Sequence, residues 1–101
     1  MEINSGKIEG NRTIENELRL LGTMTGSATV AQGAVFELHG TVFGNVVVEE
    51  GGTARLYGTV SGDVTNKGGH LDVFGTIEGQ LIKSSGVTHL DANATVGCGI
   101  S

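Results

Sequence analysis

Three histidines are the side chains of this 101-residue chain best suited to hold a metal ion or to transfer a proton. His39 and His89 lie beside leucines that strand alternation would point inward, so both imidazoles are expected to face outward. His70 follows the turn signal Gly68-Gly69. Zinc ligands come in short, regular spacings, and no two of these histidines have such a spacing. We therefore expect surface histidines, with no metal and no other cofactor.

The acidic residues and the single cysteine form no catalytic group either. Glu49 and Glu50 are adjacent at a predicted turn, and the other carboxylates are dispersed, whereas a general acid–base pair needs burial and a cleft. Cys98 has no histidine or lysine beside it to activate the thiol. A trimeric acyltransferase-like enzyme would need long loop insertions, which this sequence lacks. The sequence therefore predicts a protein that is not an enzyme.

Glycines recur in a pattern that resembles phosphate loops but has another origin. No helical segment follows them, so the helix N-terminus that binds phosphate is missing. The element Gly-Thr-apolar-x-Gly begins at Gly22, Gly40, Gly58 and Gly75, which are 18, 18 and 17 residues apart. Weaker copies at residues 6–10 and 94–97 extend the repeat over nearly the whole chain. Such a period is the signature of stacked structural repeats.

Within each repeat, apolar and polar residues alternate as in a β-strand. Superimposing the repeats aligns apolar residues in columns, for example Leu20, Leu38, Leu56, Val73 and Leu90. One coil has an apolar face with nothing to cover it, and stacking coils at about 4.8 Å fuses these faces into one core. We predict an all-β, single-stranded parallel β-solenoid over residues 1–101, with five to six coils of 16–18 residues. An antiparallel sandwich is the alternative.

The handedness is predicted from the spacing of the aliphatic residues. From Met24 to Val60 one recurs at every sixth position, as in left-handed hexapeptide helices, but Asn66 breaks the series and later coils are 17 residues long. Crossovers between parallel strands are right-handed by strong default. We therefore favour a right-handed, triangular helix.

Composition limits the partners of the protein. The formal net charge is −5 and the six basic residues are scattered, so nucleic acid is not an expected partner. No apolar run approaches the ~20 residues of a membrane span, and residues 1–10 do not look like a signal peptide. A single cysteine requires no oxidising compartment. We expect a cytoplasmic protein.

Residues 56–64, with the sequence Leu-Tyr-Gly-Thr-Val-Ser-Gly-Asp-Val, resemble the core repeat of bactofilins, the bacterial polymer-forming cytoskeletal proteins. Residues 38–46 and 73–81 have the same form, and the resemblance extends over residues 6–96. It implies a right-handed triangular β-helix that polymerises end to end without nucleotide, often at the inner membrane. The N-terminal membrane-binding segment of bactofilins has no counterpart in these residues, so the cytoplasm is the expected place and the periphery of the inner membrane is the alternative.

The two ends of a solenoid expose strands with unpaired backbone groups. A head-to-tail contact between such ends does not close, so it produces filaments. We therefore expect a structural protein that associates with itself end to end. The predicted contact residues lie in the first and last coils: Ile3, Ile8, Ile14, Leu90, Val96 and Ile100.

A second contact surface is predicted on the side of the solenoid. One outward column is largely apolar or aromatic, and a contiguous stripe of this kind marks either a contact or a stack that stiffens the coils. The alternative function follows from this surface: a small acidic protein-binding module, such as an immunity or adaptor protein, that covers its partner with one flat face. The residues of the predicted lateral interface are Leu21, His39, Phe43, Tyr57 and Phe74.

Overall fold

The computed structural model describes residues 2–97 and is a parallel β-solenoid of about five turns, which confirms the predicted fold class. Within this range the chain forms strands and no helix. Most strands are short because each alternating segment is soon interrupted by glycine or a polar turn. The strands are β1 (Glu2–Asn4), β2 (Lys7–Ile8), β3 (Arg12–Ile14), β4 (Glu17–Leu20), β5 (Thr23–Met24), β6 (Ala28–Val30), β7 (Val35–Leu38), β8 (Thr41–Val42), β9 (Val46–Val48), β10 (Thr53–Leu56), β11 (Thr59–Val60), β12 (Val64–Val73), β13 (Thr76–Ile77), β14 (Leu81–Leu90) and β15 (Thr95–Val96).

Three strand segments make one coil, so the stack has three faces. The first face contains β1, β4, β7, β10 and the second halves of β12 and β14. The second face contains β2, β5, β8, β11, β13 and β15, and the third contains β3, β6, β9 and the first halves of β12 and β14. Every pairing between the described strands is parallel, which excludes the antiparallel sandwich. The handedness stays a prediction.

Coils are numbered here from the N-terminus: β1–β3 form coil 1, β4–β6 coil 2 and β7–β9 coil 3. Coil 4 contains β10, β11 and the first half of β12, and coil 5 contains the second half of β12, β13 and the first half of β14. Coil 6 is the second half of β14 with β15. The register confirms the repeat, since the second-face partners are Lys7↔Thr23, Thr23↔Thr41, Thr41↔Thr59, Thr59↔Thr76 and Thr76↔Thr95.

The core is a set of inward columns, one residue from each coil. Leu38 pairs with Leu20 on one side and with Leu56 on the other, and the second-face column runs through Met24 and Val42. All five of these side chains are buried. Because burying a large aliphatic side chain stabilises a fold by roughly 1.5–3 kcal/mol, each added coil adds several such contributions to the same core.

Glycines at the corner between the first and second faces are required by the close stacking of the coils. A Cβ built on Gly40 would lie 1.7 Å from the carbonyl oxygen of Gly22, and one on Gly58 would lie 1.9 Å from that of Gly40. At the corner between the third and first faces, Gly33 and Gly51 instead have positive φ angles of 80° and 82°, which favour glycine. Gly40 and Gly58 begin two copies of the repeat signature, so the close stacking of the coils explains why this glycine recurs.

Asn66 is buried where the aliphatic column Ile14, Val30, Val48 would continue. Its Oδ1 accepts hydrogen bonds from the amides of Gly68 (3.1 Å) and Gly69 (2.8 Å). Its Nδ2 donates to the carbonyl of Gly69 and, in the next coil, to the carbonyl of Val87 and to Thr88 Oγ1. The side chain therefore satisfies a bent corner at the point where the coil shortens to 17 residues and the register with β14 shifts.

Candidate functional site

The outer surface of the first face carries a ladder of alternating charges, which we call the charge ladder. It consists of Arg19, Glu37, Arg55 and Asp72, one residue from each of coils 2 to 5. Arg19 Nη2 lies 3.4 Å from Glu37 Oε1, Arg55 Nη1 lies 3.9 Å from Glu37 Oε2, and Arg55 Nε lies 3.9 Å from Asp72 Oδ2. The sign therefore alternates along the ladder, and Glu37 and Arg55 each lie between two charges of the opposite sign.

Two histidines extend the ladder sideways. His39 Nε2 lies 3.6 Å from Glu37 Oε1, and His70 Nε2 lies 3.0 Å from Asp72 Oδ1. Glu37 is only 8% exposed, and such a buried carboxylate needs charged partners around it. The Nε of Arg19 is buried and has no hydrogen-bond partner. These polar groups form a continuous network across the face.

Beside the charge ladder, at the corner toward the second face, three rings form an aromatic stack. The rings of His39 and Tyr57 are 4.7 Å apart and 10° from parallel, and those of Tyr57 and Phe74 are 4.9 Å apart and 7° from parallel. Stacked coils place these side chains one strand spacing apart, which is the range in which aromatic rings attract each other. Tyr57 remains 43% exposed.

The structure brings together most of the predicted lateral residues. His39, Tyr57 and Phe74 form the aromatic stack, and Leu21 begins the same column in coil 2, where it is 47% exposed. Phe43 is also exposed, at 57%, but it follows β8 and lies in a different outward column. That column contains Thr25, Ser61 and Glu78 and belongs to the second face.

The predicted end residues are distributed differently. Ile8 is partly buried in an inward column of coil 1, whereas Ile14 of the same coil is 3% exposed. Ile3 is 57% exposed and pairs with Arg19, so it lies on the outside of the first face. Leu90 and Val96 are partly buried inward residues of coil 6. Ile100 lies outside the described residues.

Coil 1 and coil 6 differ in the polarity of their inward positions. Asn4 and Arg12 of coil 1 occupy the register positions at which coil 2 has Leu20 and Ala28. In coil 6 the counterpart of Asn4 is the apolar Leu90, which packs partly against the core, as Val96 does. The N-terminal end of the stack is therefore more polar than the C-terminal end.

A second ladder, made of hydrogen bonds, runs along the corner between the second and third faces. In coils 1 to 4 a polar side chain accepts a hydrogen bond from the backbone amide of the residue at the same position in the next coil. The described links are Asn11 to Ser27, Ser27 to Asn45, Asn45 to Asp63 and Asp63 to Gln80, with distances of 2.8–3.1 Å. Every link has the same direction, so the stack is chemically polar from coil 1 to coil 5.

Sequence reasoning did not find the charge ladder. The inward columns stand out because like residues recur in every coil, whereas this outward column changes sign at each step. Aligning the outward positions next to Leu20, Leu38, Leu56 and Val73 would have placed the four charges in one column.

Among residues 2–97, no group of three histidine, cysteine, aspartate or glutamate side chains is placed to hold a metal ion. The described surface has a hollow of about 150 Å³ lined by residues 12–18, smaller than the roughly 300–1,000 Å³ of ligand pockets. No helix long and apolar enough to cross a membrane occurs in this part of the chain. Comparisons with protein-family models, curated proteins and solved structures give no match.

Proposed function

We propose that this protein is a structural protein, similar to bactofilins, that associates with itself end to end into filaments or scaffolds. The β-solenoid of about five turns is compatible with such an assembly. One observation carries the proposal, and it concerns Gly6 in coil 1.

Both ends of the stack carry strand edges that could accept another coil. Within the described residues, β1, β2 and β3 pair only with coil 2, and β15 pairs only with coil 5. A parallel coil docked on either end would continue the ladders and the inward columns at the same spacing. Exposed strand edges are templates for this kind of pairing.

Gly6 occupies the column in which the later glycines are required. A Cβ on Gly22, Gly40, Gly58 or Gly75 would lie within 2.1 Å of a carbonyl oxygen in the preceding coil. A Cβ on Gly6 would meet only Asn4 Oδ1, at 3.7 Å, which is an ordinary contact. Gly6 also lacks a positive φ angle. Glycine at this position therefore leaves room for a coil from another molecule to stack closely on coil 1.

The last coil of a second copy is the partner that this end fits best. Thr95 pairs with Thr76, so Ala94 precedes the second face of coil 6 as Gly75 precedes that of coil 5, and its carbonyl would approach Gly6 of the next copy. The contact would join the apolar inward residues Leu90 and Val96 to the more polar coil 1. Because the two surfaces differ, the contact is head to tail and does not close.

The substitution Gly6→Val tests this proposal. A side chain at position 6 should prevent the last coil of the neighbouring copy from approaching coil 1, without disturbing the protein's own fold. We expect negative-stain electron microscopy and sedimentation velocity to show filaments that lengthen with concentration for the wild type. For Gly6→Val we expect single solenoids with an unchanged melting temperature.

Ser5→Val is the matched control, since it adds the same side chain at the neighbouring exposed position, outside the glycine column. We expect this variant to assemble as the wild type does. A wild-type protein that stays monomeric at all concentrations would refute the proposal. Filaments of Gly6→Val that equal those of the wild type would refute the role of Gly6.

A further inference from the structure

We propose that the first face binds the first face of a second copy, with the two solenoid axes antiparallel. The observation behind this proposal is that the columns of this face complement themselves when one copy is reversed. The pairing is lateral, so it goes beyond end-to-end assembly and does not depend on it.

The charge ladder supplies the first match. From coil 2 to coil 5 it reads positive, negative, positive, negative. A two-fold axis parallel to the strands, passing between coils 3 and 4, places coil 2 of one copy over coil 5 of the other. Arg19 then faces Asp72 of the second copy, and Glu37 faces Arg55. Every charge meets an opposite charge, which favours association and sets its register.

The two neighbouring columns match in the same arrangement, because this axis keeps each column opposite itself. The exposed side chain of Leu21 lies over Phe74 of the second copy, and His39 lies over Tyr57, so apolar and aromatic groups cover each other. On the other side of the ladder, Glu17 of coil 2 lies over His70 of coil 5. Each of the three outward columns therefore gains at least one matched pair in this arrangement.

The opposite orientation is disfavoured by the same charges. If the axes of two copies were parallel, each ladder charge would face its own kind, and like charges in contact are costly. The size of the face limits the strength of the antiparallel contact. The largest extents of the molecule are 30 and 25 Å, so one face offers less than the roughly 800 Å² per partner of a standard interface. We expect a weak dimer.

Cross-linking tests the orientation directly. In a Gly6→Val, Cys98→Ser background, which removes the axial contact and the native thiol, we would introduce Glu17→Cys in one preparation and His70→Cys in another. Facing sheets pack about 10 Å apart, so Glu17 of one copy and His70 of the other would be about 10 Å apart. Two Glu17 positions would be about 17 Å apart, because three coil spacings along the axis add to the distance between the sheets. A 10 Å thiol cross-linker should join the mixed variants and leave each variant alone unlinked.

A charge swap tests the chemistry of the contact in the same Gly6→Val background. Arg19→Glu and Asp72→Lys each place like charges opposite one another, and we expect either variant alone to dimerise at least tenfold more weakly than the parent. Mixing the two variants restores opposite charges between the copies, so dimerisation should return. Lys67→Glu is the control, because it makes the same change of charge outside the facing columns.

Two results would overturn the proposal: no cross-linked product from the mixed cysteine variants, or no recovery of the dimer when the two charge variants are mixed. A charge ladder that only stabilised its own solenoid would show no recovery between copies, whatever its effect on folding. Sedimentation equilibrium gives the readout. Because Gly6→Val is expected to block end-to-end assembly, a dimer measured in this background reports on the lateral contact.

Discussion

Coils 2 to 5 and coil 1 share the same corner glycine but not the same reason for it. At Gly40 a Cβ would lie 1.7 Å from the carbonyl oxygen of Gly22, so stacking of the coils excludes any side chain. At Gly6 the nearest atom would be Asn4 Oδ1 at 3.7 Å, and a side chain fits. The same glycine recurs in the sequence of coil 1 and of the later coils, but only in the later coils does a contact require it.

The inward positions of these coils differ in a similar way. Ile77 in coil 5 is fully buried between Val60 and Val96, whereas Ile8, in the same column, is partly buried and pairs only with Met24 within the described chain. A residue type repeated in a column can therefore be a strong contributor to stability in the middle and a weak one at the end. This gradient is typical of repeat proteins, whose terminal repeats have one interface fewer.

The largest effect is expected from Gly40→Ala. The new methyl group overlaps a backbone carbonyl that cannot move without separating coils 2 and 3, so we expect a loss of more than about 5 kcal/mol and little folded protein. Circular dichroism and thermal melting provide the measurement. Gly6→Ala is the control and should melt at or slightly above the wild-type temperature. Equal melting of the two variants would remove the distinction between these coils.

A smaller loss is expected from Asn66→Val, which restores the aliphatic column of Val30 and Val48. The amides of Gly68 and Gly69 would lose their acceptor, and each unsatisfied buried group costs about 1–3 kcal/mol. We expect a loss of about 4 kcal/mol in chemical denaturation. Thr88→Val removes only one bond of the network and should cost about 1 kcal/mol. An Asn66→Val variant as stable as the wild type would show that the corner does not need Asn66.

The smallest effects distinguish two isoleucines of one column. Ile77→Ala leaves a cavity in the closed core and should cost about 3 kcal/mol, within the usual range for such changes. Ile8→Ala should cost about 1 kcal/mol, because solvent can reach part of the site. Denaturation below the concentration at which the protein assembles gives both values. A comparable loss at both positions under these conditions would contradict the gradient.

The stacking of the coils was predictable from the sequence because inward positions have one requirement in every coil. Leu38 lies between Leu20 and Leu56, as their spacing indicates. The charge ladder escaped prediction since outward residues need to match their neighbours in charge rather than resemble them. Asn66 was recognised only as an interruption of the aliphatic series, and its bonds to Val87 and Thr88 depend on the bend of the corner.

The sequence by itself determined that the chain forms stacked parallel coils and which side chains face the core, because hydrophobic burial selects the same residue types at each repeat. The tertiary structure alone decided which charges lie within 4 Å of each other and which glycine has a carbonyl oxygen beside it. These properties depend on distances between atoms of neighbouring coils. Such distances change from the middle of the stack to its ends, while the repeat pattern in the sequence stays nearly constant.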